Sequence, residues 1–174
     1  TCLTSVVSND LVLANPSLLG FDPGSVSDVS CNGGSDGSIN VTANGGTPPY
    51  SYNISPGTEI NSDGNFNNFP AGTYSVEVTD VNSCPSATSI LEIKEPDALT
   101  GSITSQTNVD CFGNATGSLT VAGVDGTPGY QYSLDGVTYQ VSGTFSGLSA
   151  GTFTVTVRDA NGCTVDVNGT ITEP

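Results

Sequence analysis

Apolar and polar residues alternate along most of the chain. Ile39, Val41 and Ala43 share one face, and Ser38, Asn40 and Thr42 share the other. The pattern returns at Leu119, Val121 and Gly123, and again at Tyr50, Tyr52 and Ile54 and at Tyr130, Tyr132 and Leu134. Tyr74, Val76 and Val78 match Phe153, Val155 and Val157 in the same way. Leu91 and Ile93, then Val165, Val167 and Ile171, supply the last apolar positions of two successive stretches. A period of two with one polar face predicts antiparallel strands packed on one side. Gly45-Gly46, Asp125-Gly126, Leu134-Asp135-Gly136-Val137 and the run Asp159–Gly162 are turn-forming and separate the strands.

The two stretches are copies of one another. Residues 29–52 read VSCNGGSDGSINVTANGGTPPYSY and residues 109–132 read VDCFGNATGSLTVAGVDGTPGYQY. An offset of 80 carries Cys31 to Cys111, Gly37 to Gly117 and Tyr50 to Tyr130. Further on, AGTYSVEVTDVNSC at 71–84 matches AGTFTVTVRDANGC at 150–163 with an offset of 79, so one residue slips in a connecting loop. Both copies close on Glu-Pro, at Glu95-Pro96 and Glu173-Pro174. Cys2 and Asn15-Pro16 sit where Cys84 and Glu95-Pro96 sit, so the opening residues read as the end of another copy. The expected division is a terminal strand of a preceding repeat over 1–15, then repeats over 16–96 and 97–174. About seven short strands per repeat predict an all-β fold, two immunoglobulin-like β-sandwiches in tandem. The chain has no Trp, so the antibody-type core is absent.

The run Cys-x-Gly, Gly-Thr-Pro-Pro-Tyr-x-Tyr, Ala-Gly-Thr-(Tyr/Phe)-x-Val-x-Val-x-Asp-x-Asn and closing Glu-Pro resembles the SprB-repeat family. It spans Cys31 to Pro96 and Cys111 to Pro174. Departures are mild: Asn68-Phe69-Pro70 replaces Gly-Leu-x, Ser83 replaces the Gly before Cys84, and Gly129 replaces a Pro. The resemblance implies a location and a role class. Such repeats occur in tandem in very large secreted surface proteins of Bacteroidota, gliding-motility adhesins among them. It implies no ligand and no catalytic residue.

Charge narrows the partners. The 174 residues carry 17 acids and only two bases, Lys94 and Arg158, for a net charge of −15. Nucleic-acid binding needs cations that displace phosphate counterions, and anionic membranes repel this surface for the same reason. The chain has no His, which excludes histidine catalysis and histidine-ligated zinc within it. No apolar run approaches the 18 or so residues of a membrane helix, so no membrane insertion is expected. The absence of Met points to a processed product or a piece of something longer.

Five cysteines at repeated positions imply disulfides and an oxidising, extracellular setting. Two periodic pairings fit. Within repeats, Cys31–Cys84 and Cys111–Cys163 are structural bridges and Cys2 is left unpaired or bonded to another chain. Between repeats, Cys2–Cys31 and Cys84–Cys111 leave Cys163 over. The first is adopted because each repeat then stands alone, although it requires the stretch from Asn32 to Gly37 to run along the domain.

Calcium is the one cofactor the acids invite. Asp80 with Asn82, and Asp159 with Asn161, occupy matching turns, with Asp36, Asp97 and Asp110 near the repeat ends. Asp-x-Asn-Gly is also a common turn former, and no DxDxDG loop is present, so turn chemistry is the preferred reading. Glycoside hydrolysis needs two acids across a cleft, and nothing sets such a pair apart; an enzyme is not expected. Tyr50 and Tyr139 are candidates for stacking on a sugar.

The expected role is mechanical: an extender, stalk or filament-forming module of a secreted bacterial surface adhesin. A carbohydrate- or ligand-binding module is the alternative. Partners are neighbouring repeats; residues 1–15, with apolar Val6, Leu11 and Leu13, either add as a strand to another copy and build a homopolymer or fold back on residues 16–30 of their own unit.

Overall fold

The computed structural model describes residues 17–86 and 88–174. The terminal strand expected over 1–15, its polymerising role and Cys2 lie outside the described residues. Within them the protein is all-β and divides into two compact units, residues 17–29 with Gly33–Glu95, and Ser30–Asn32 with Pro96–Pro174. The tripeptide Ser30–Asn32 therefore groups with the second unit, although in sequence it lies within the first repeat.

The first unit contains β1 (Gly20–Ser27), β2 (Gly37–Asn44), β3 (Ser51–Ser55), β4 (Ile60–Asn61), β5 (Asn65–Phe69), β6 (Gly72–Thr79) and β7 (Ser89–Ile93). One sheet has the order β1-β2-β5 and the other β4-β3-β6-β7, all pairs antiparallel. Pro23 lies on the edge strand β1, where a missing N–H costs least, and the register shifts between Pro23 and Val26. Alternation drives the inward residues of both sheets into one core. Ile39, Val41, Tyr52, Ile54, Phe66, Tyr74, Val76, Val78 and Ile93 are all buried in it. Each large aliphatic so placed stabilises the unit by about 1.5–3 kcal/mol relative to exposure.

The second unit contains β8 (Thr100–Thr107), β9 (Gly117–Val124), β10 (Gln131–Ser133), β11 (Thr144–Leu148), β12 (Gly151–Arg158) and β13 (Thr164–Ile171). Its sheets are β11-β9-β8 and β10-β12-β13. Leu119, Val121, Tyr132, Val155, Val157, Val167 and Ile171 fill its core. It has one strand fewer than the first unit, because a single bridge between Tyr132 and Gln140 stands where β4 pairs with β3.

Leu134 departs from the expected alternation: it is exposed, and Ser133 is fully buried beside it. The cause is the turn that follows. The Ser133 hydroxyl donates to Asp135 Oδ1 at 2.8 Å and accepts from the Gly136 N–H at 2.9 Å, so the strand ends before Leu134.

Glycine is required at the repeated Cys-x-Gly. Gly33 has φ +72° and Gly113 has φ +78°, the left-handed region that penalises a Cβ. In this conformation the Gly33 N–H donates to Glu95 Oε2 at 2.7 Å and the Gly113 N–H to Glu173 Oε2 at 3.0 Å. The closing Glu of each repeat thus fastens the loop that carries its first cysteine.

Candidate functional site

The two turns that carried the calcium expectation are built identically. Asp80 Oδ1 accepts the N–H of Asn82 and of Cys84, each at 2.9 Å, and Oδ2 accepts the N–H of Thr47 at 3.0 Å. Asp159 Oδ1 accepts from the N–H of Asn161 at 3.0 Å and of Cys163 at 2.9 Å, and Oδ2 from Thr127 at 2.9 Å. Both side chains are buried, at 7% and 3% exposure. Each carboxylate closes its own turn with one oxygen and ties the loop before β3 or β10 to that turn with the other. Asn82 and Asn161 contribute backbone N–H groups to this arrangement; the Asn161 side chain donates instead to Ser30 O and Thr127 Oγ1. Among the described residues, no group of three or more Asp, Glu, Cys or His is placed to hold a metal ion.

The cysteines correct the pairing within repeats. Cys31 is bonded to Cys163, with Cα atoms 5.7 Å apart and 132 residues between them in sequence. Cys84 is also in a disulfide. Cys111 is a free, exposed thiol. The adopted pairs fail on strand geometry. Cys31 follows Val29, whose N–H bonds to Lys94 O just past β7, at the end where Gly72 pairs with Ile93. Cys84 lies at the other end of β6, beside the bridge between Thr79 and Pro85. Seven residues of β6 at about 3.3 Å each put roughly 23 Å between these levels, against the 4.4–6.8 Å a disulfide allows. The same holds for Cys111, two residues past Val109, whose N–H bonds Thr172 O, and Cys163, past the pair Arg158–Thr164.

Cys31 is held by more than its bond. Ser30 O accepts from Asn161 Nδ2 at 2.9 Å, and the Asn32 side chain donates to Pro96 O at 3.1 Å. Cys31, Asn32, Ala98, Leu99 and Cys163 line one shallow depression of the second unit.

The sugar-stacking tyrosines are otherwise engaged. Tyr50 packs against the first core and donates from its hydroxyl to Gly45 O at 2.8 Å. The Arg158 guanidinium carbon stands 3.7 Å from the centroid of the Tyr139 ring, and Arg158 Nη2 donates to Gln131. Tyr139 thus spends one ring face on a cation within its own unit.

Hydrogen bonding also holds several carboxyls below the usual Asp range. The N–H of Cys84 does most for Asp80, helped by Thr47 and Asn82. The N–H groups of Thr138 and Val137 and the Ser133 hydroxyl act on Asp135, and the Thr116 hydroxyl and Asn114 amide on Asp110. The N–H of Asn65 does the same for Asp63. With the folded value below the unfolded one, the unfolded chain binds protons first as pH falls. Stability from these groups is complete above the unfolded Asp value of about 3.9 and is lost as pH drops through the lower folded values. Protonating other acids relieves self-repulsion, which acts in the opposite sense. We expect the melting temperature to peak near about pH 4–5 and to fall steeply below it. A scan that stays flat or rises down to about pH 2 would contradict this assignment.

Repeated sandwiches with a common hydrogen-bonded frame define a tandem immunoglobulin-like β module. The family whose model matches is the SprB repeat, at residues 24–59 and again at 103–139. Each match falls in one of the two copies read from the sequence. No curated protein sequence matches the chain. Among solved structures it is similar to the three N-terminal domains of the bacteriophage RB49 Highly Immunogenic Outer Capsid protein, at 15% identity and a TM-score of 0.47. That match covers 88% of this chain and 59% of the phage fragment. It is also similar to fibronectin(III)-like modules of Clostridium thermocellum CbhA, at 14% identity and TM-score 0.36, covering 90% and 95% of the two chains. The S-layer protein rSbsC matches at 20% identity and TM-score 0.36, over 90% of this chain and 28% of that one.

Proposed function

We propose that this chain is a structural spacer of a large secreted bacterial surface adhesin, giving reach and assembly outside the cell. One observation carries the reading: the second copy reproduces most of the internal fastenings of the first, while several outward positions differ. The Ala43 N–H donates to the Tyr52 hydroxyl at 3.0 Å and the Gly123 N–H to that of Tyr132 at 3.1 Å. Tyr50 bonds Gly45 O as Tyr130 bonds Asp125 O, at 2.8 and 2.7 Å. The Asp80 and Asp159 turns and the Glu95 and Glu173 contacts are duplicated likewise. Outward positions change chemistry: Glu77 becomes Thr156, Asn65 becomes Thr144, and Glu92 becomes Thr170. A binding surface used once per repeat would keep its outward residues and let the interior drift within limits of volume. Here most of the frame is kept and these outward positions vary.

The charge fits this role, since a net −15 holds crowded copies apart. A disulfide linking residues far apart in sequence fits an oxidising exterior. A glycan array with the full chain tests the proposal against the carbohydrate-binding alternative. The spacer reading expects no specific signal. Specific binding at low micromolar concentration, lost in a Tyr139→Ala variant, would replace it with a carbohydrate module.

A further inference from the structure

Cys31 and Cys111 occupy the same position in two copies of one loop. Both precede a left-handed glycine whose N–H is held by the closing Glu of its repeat, at Gly33–Glu95 and Gly113–Glu173. Both follow a valine whose N–H bonds the end of the last strand, Val29 to Lys94 O and Val109 to Thr172 O, each at 3.0 Å. One of the two is bonded: Cys31 meets Cys163, which closes the turn Asp159–Cys163. The other is a free, exposed thiol.

The residue after each cysteine sharpens the difference. Asn32 lies in the depression with Ala98, Leu99 and Cys163. Its counterpart, Phe112, is 79% exposed. A large apolar side chain beside a free thiol is what a matching Ala-Leu surface would cover.

We infer that Cys111 is the acceptor for the closing cysteine of a further repeat placed after Glu173-Pro174, with Phe112 packing on that repeat's Ala-Leu pair. The partner is thus a domain of the same family that carries Asp-x-Asn-Gly-Cys. The bond forms by oxidation of two thiols. They lose two protons and two electrons, and the electrons reduce the disulfide of a thiol–disulfide oxidoreductase, or oxidised glutathione in vitro, to two thiols. The inference rests on the loop geometry and not on the spacer reading.

The test appends a second copy of residues 97–174 directly after Pro174 of the full chain and refolds it in a glutathione redox buffer. Non-reducing peptide mapping should find Cys111 joined to the closing cysteine of the added copy, with Cys31–Cys163 retained. In a Cys111→Ser variant of the extended chain, that closing cysteine should react with an alkylating reagent. The inference is overturned if Cys111 and the added closing cysteine both stay alkylatable, or if the added cysteine bonds within its own copy. A Cys111→Asn variant with intact melting behaviour separates loss of the bond from loss of the fold.

Discussion

Stretched between its ends, the oxidised chain should lengthen little, and reduction should release about 450 Å more contour. The Cys31–Cys163 bond has a sequence separation of 132. A fully extended residue spans about 3.3–3.6 Å, so that loop hides roughly 450 Å from any force applied outside it. Ile39 to Ile93 of the first core and Val109 to Val157 of the second lie between the two cysteines. The cores can therefore break without the chain paying out their length. In the chain-entropy account, a loop of this size removes about 5 kcal/mol of disorder from the unfolded chain, a large share of the roughly 5–15 kcal/mol that holds a domain folded. Single-molecule force spectroscopy with and without a thiol reductant measures the difference. Unfolding steps that release whole repeats from the oxidised protein would contradict it.

Replacing Asp159 with Ala should cost the second unit on the order of 4 kcal/mol. The change leaves the N–H groups of Thr127, Asn161 and Cys163 without their acceptor, in a site where Asp159 is only 3% exposed. A buried donor left unpaired costs about 1–3 kcal/mol; water reaches the exposed Asn161, so the cost falls mainly on the part-buried N–H groups of Thr127 and Cys163. Asp159→Asn keeps an acceptor oxygen and should cost less. The same geometry bears on calcium. An oxygen that already receives two amides gives little to a cation, so neither calcium nor a chelator should move the melting temperature. Urea titrations of the variants, with and without calcium, read both effects. A mild Asp159→Ala variant, or a rise of several degrees with calcium, would show that the carboxylate serves a cation instead of the turn.

Much of the frame was legible in the sequence because strand periodicity and turn chemistry are local. Ile39, Val41, Val76, Val78, Val155 and Val157 follow directly from alternation. The preference for turn chemistry at Asp80 and Asp159 rests on the Asp-x-Asn pattern and the lack of a DxDxDG loop, and the third donor, from Thr47 or Thr127, is a tertiary contact that no local pattern announces. Leu134 was misplaced because alternation does not say where a strand stops; the signal was Ser133 two residues before Asp135, a side-chain turn former. The cysteines show a different limit. Repetition gave equal loops for Cys31–Cys84 and Cys111–Cys163, and equal loops say nothing about distance. The objection that the two turns lie at opposite ends of a sandwich was available from topology, and it decides the matter. The Glu-Pro endings are visible as a pattern, but their bonds to the N–H groups of Gly33 and Gly113, 62 and 60 residues away in sequence, are tertiary contacts that no local pattern announces.

Non-reducing peptide mapping of the intact protein reaches the central claim most directly. With thiols blocked before digestion, the account predicts a peptide pair joining Cys31 to Cys163 and an alkylated Cys111. Peptides joining Cys31 to Cys84, or Cys111 to Cys163, would contradict it and return each repeat to a self-contained unit.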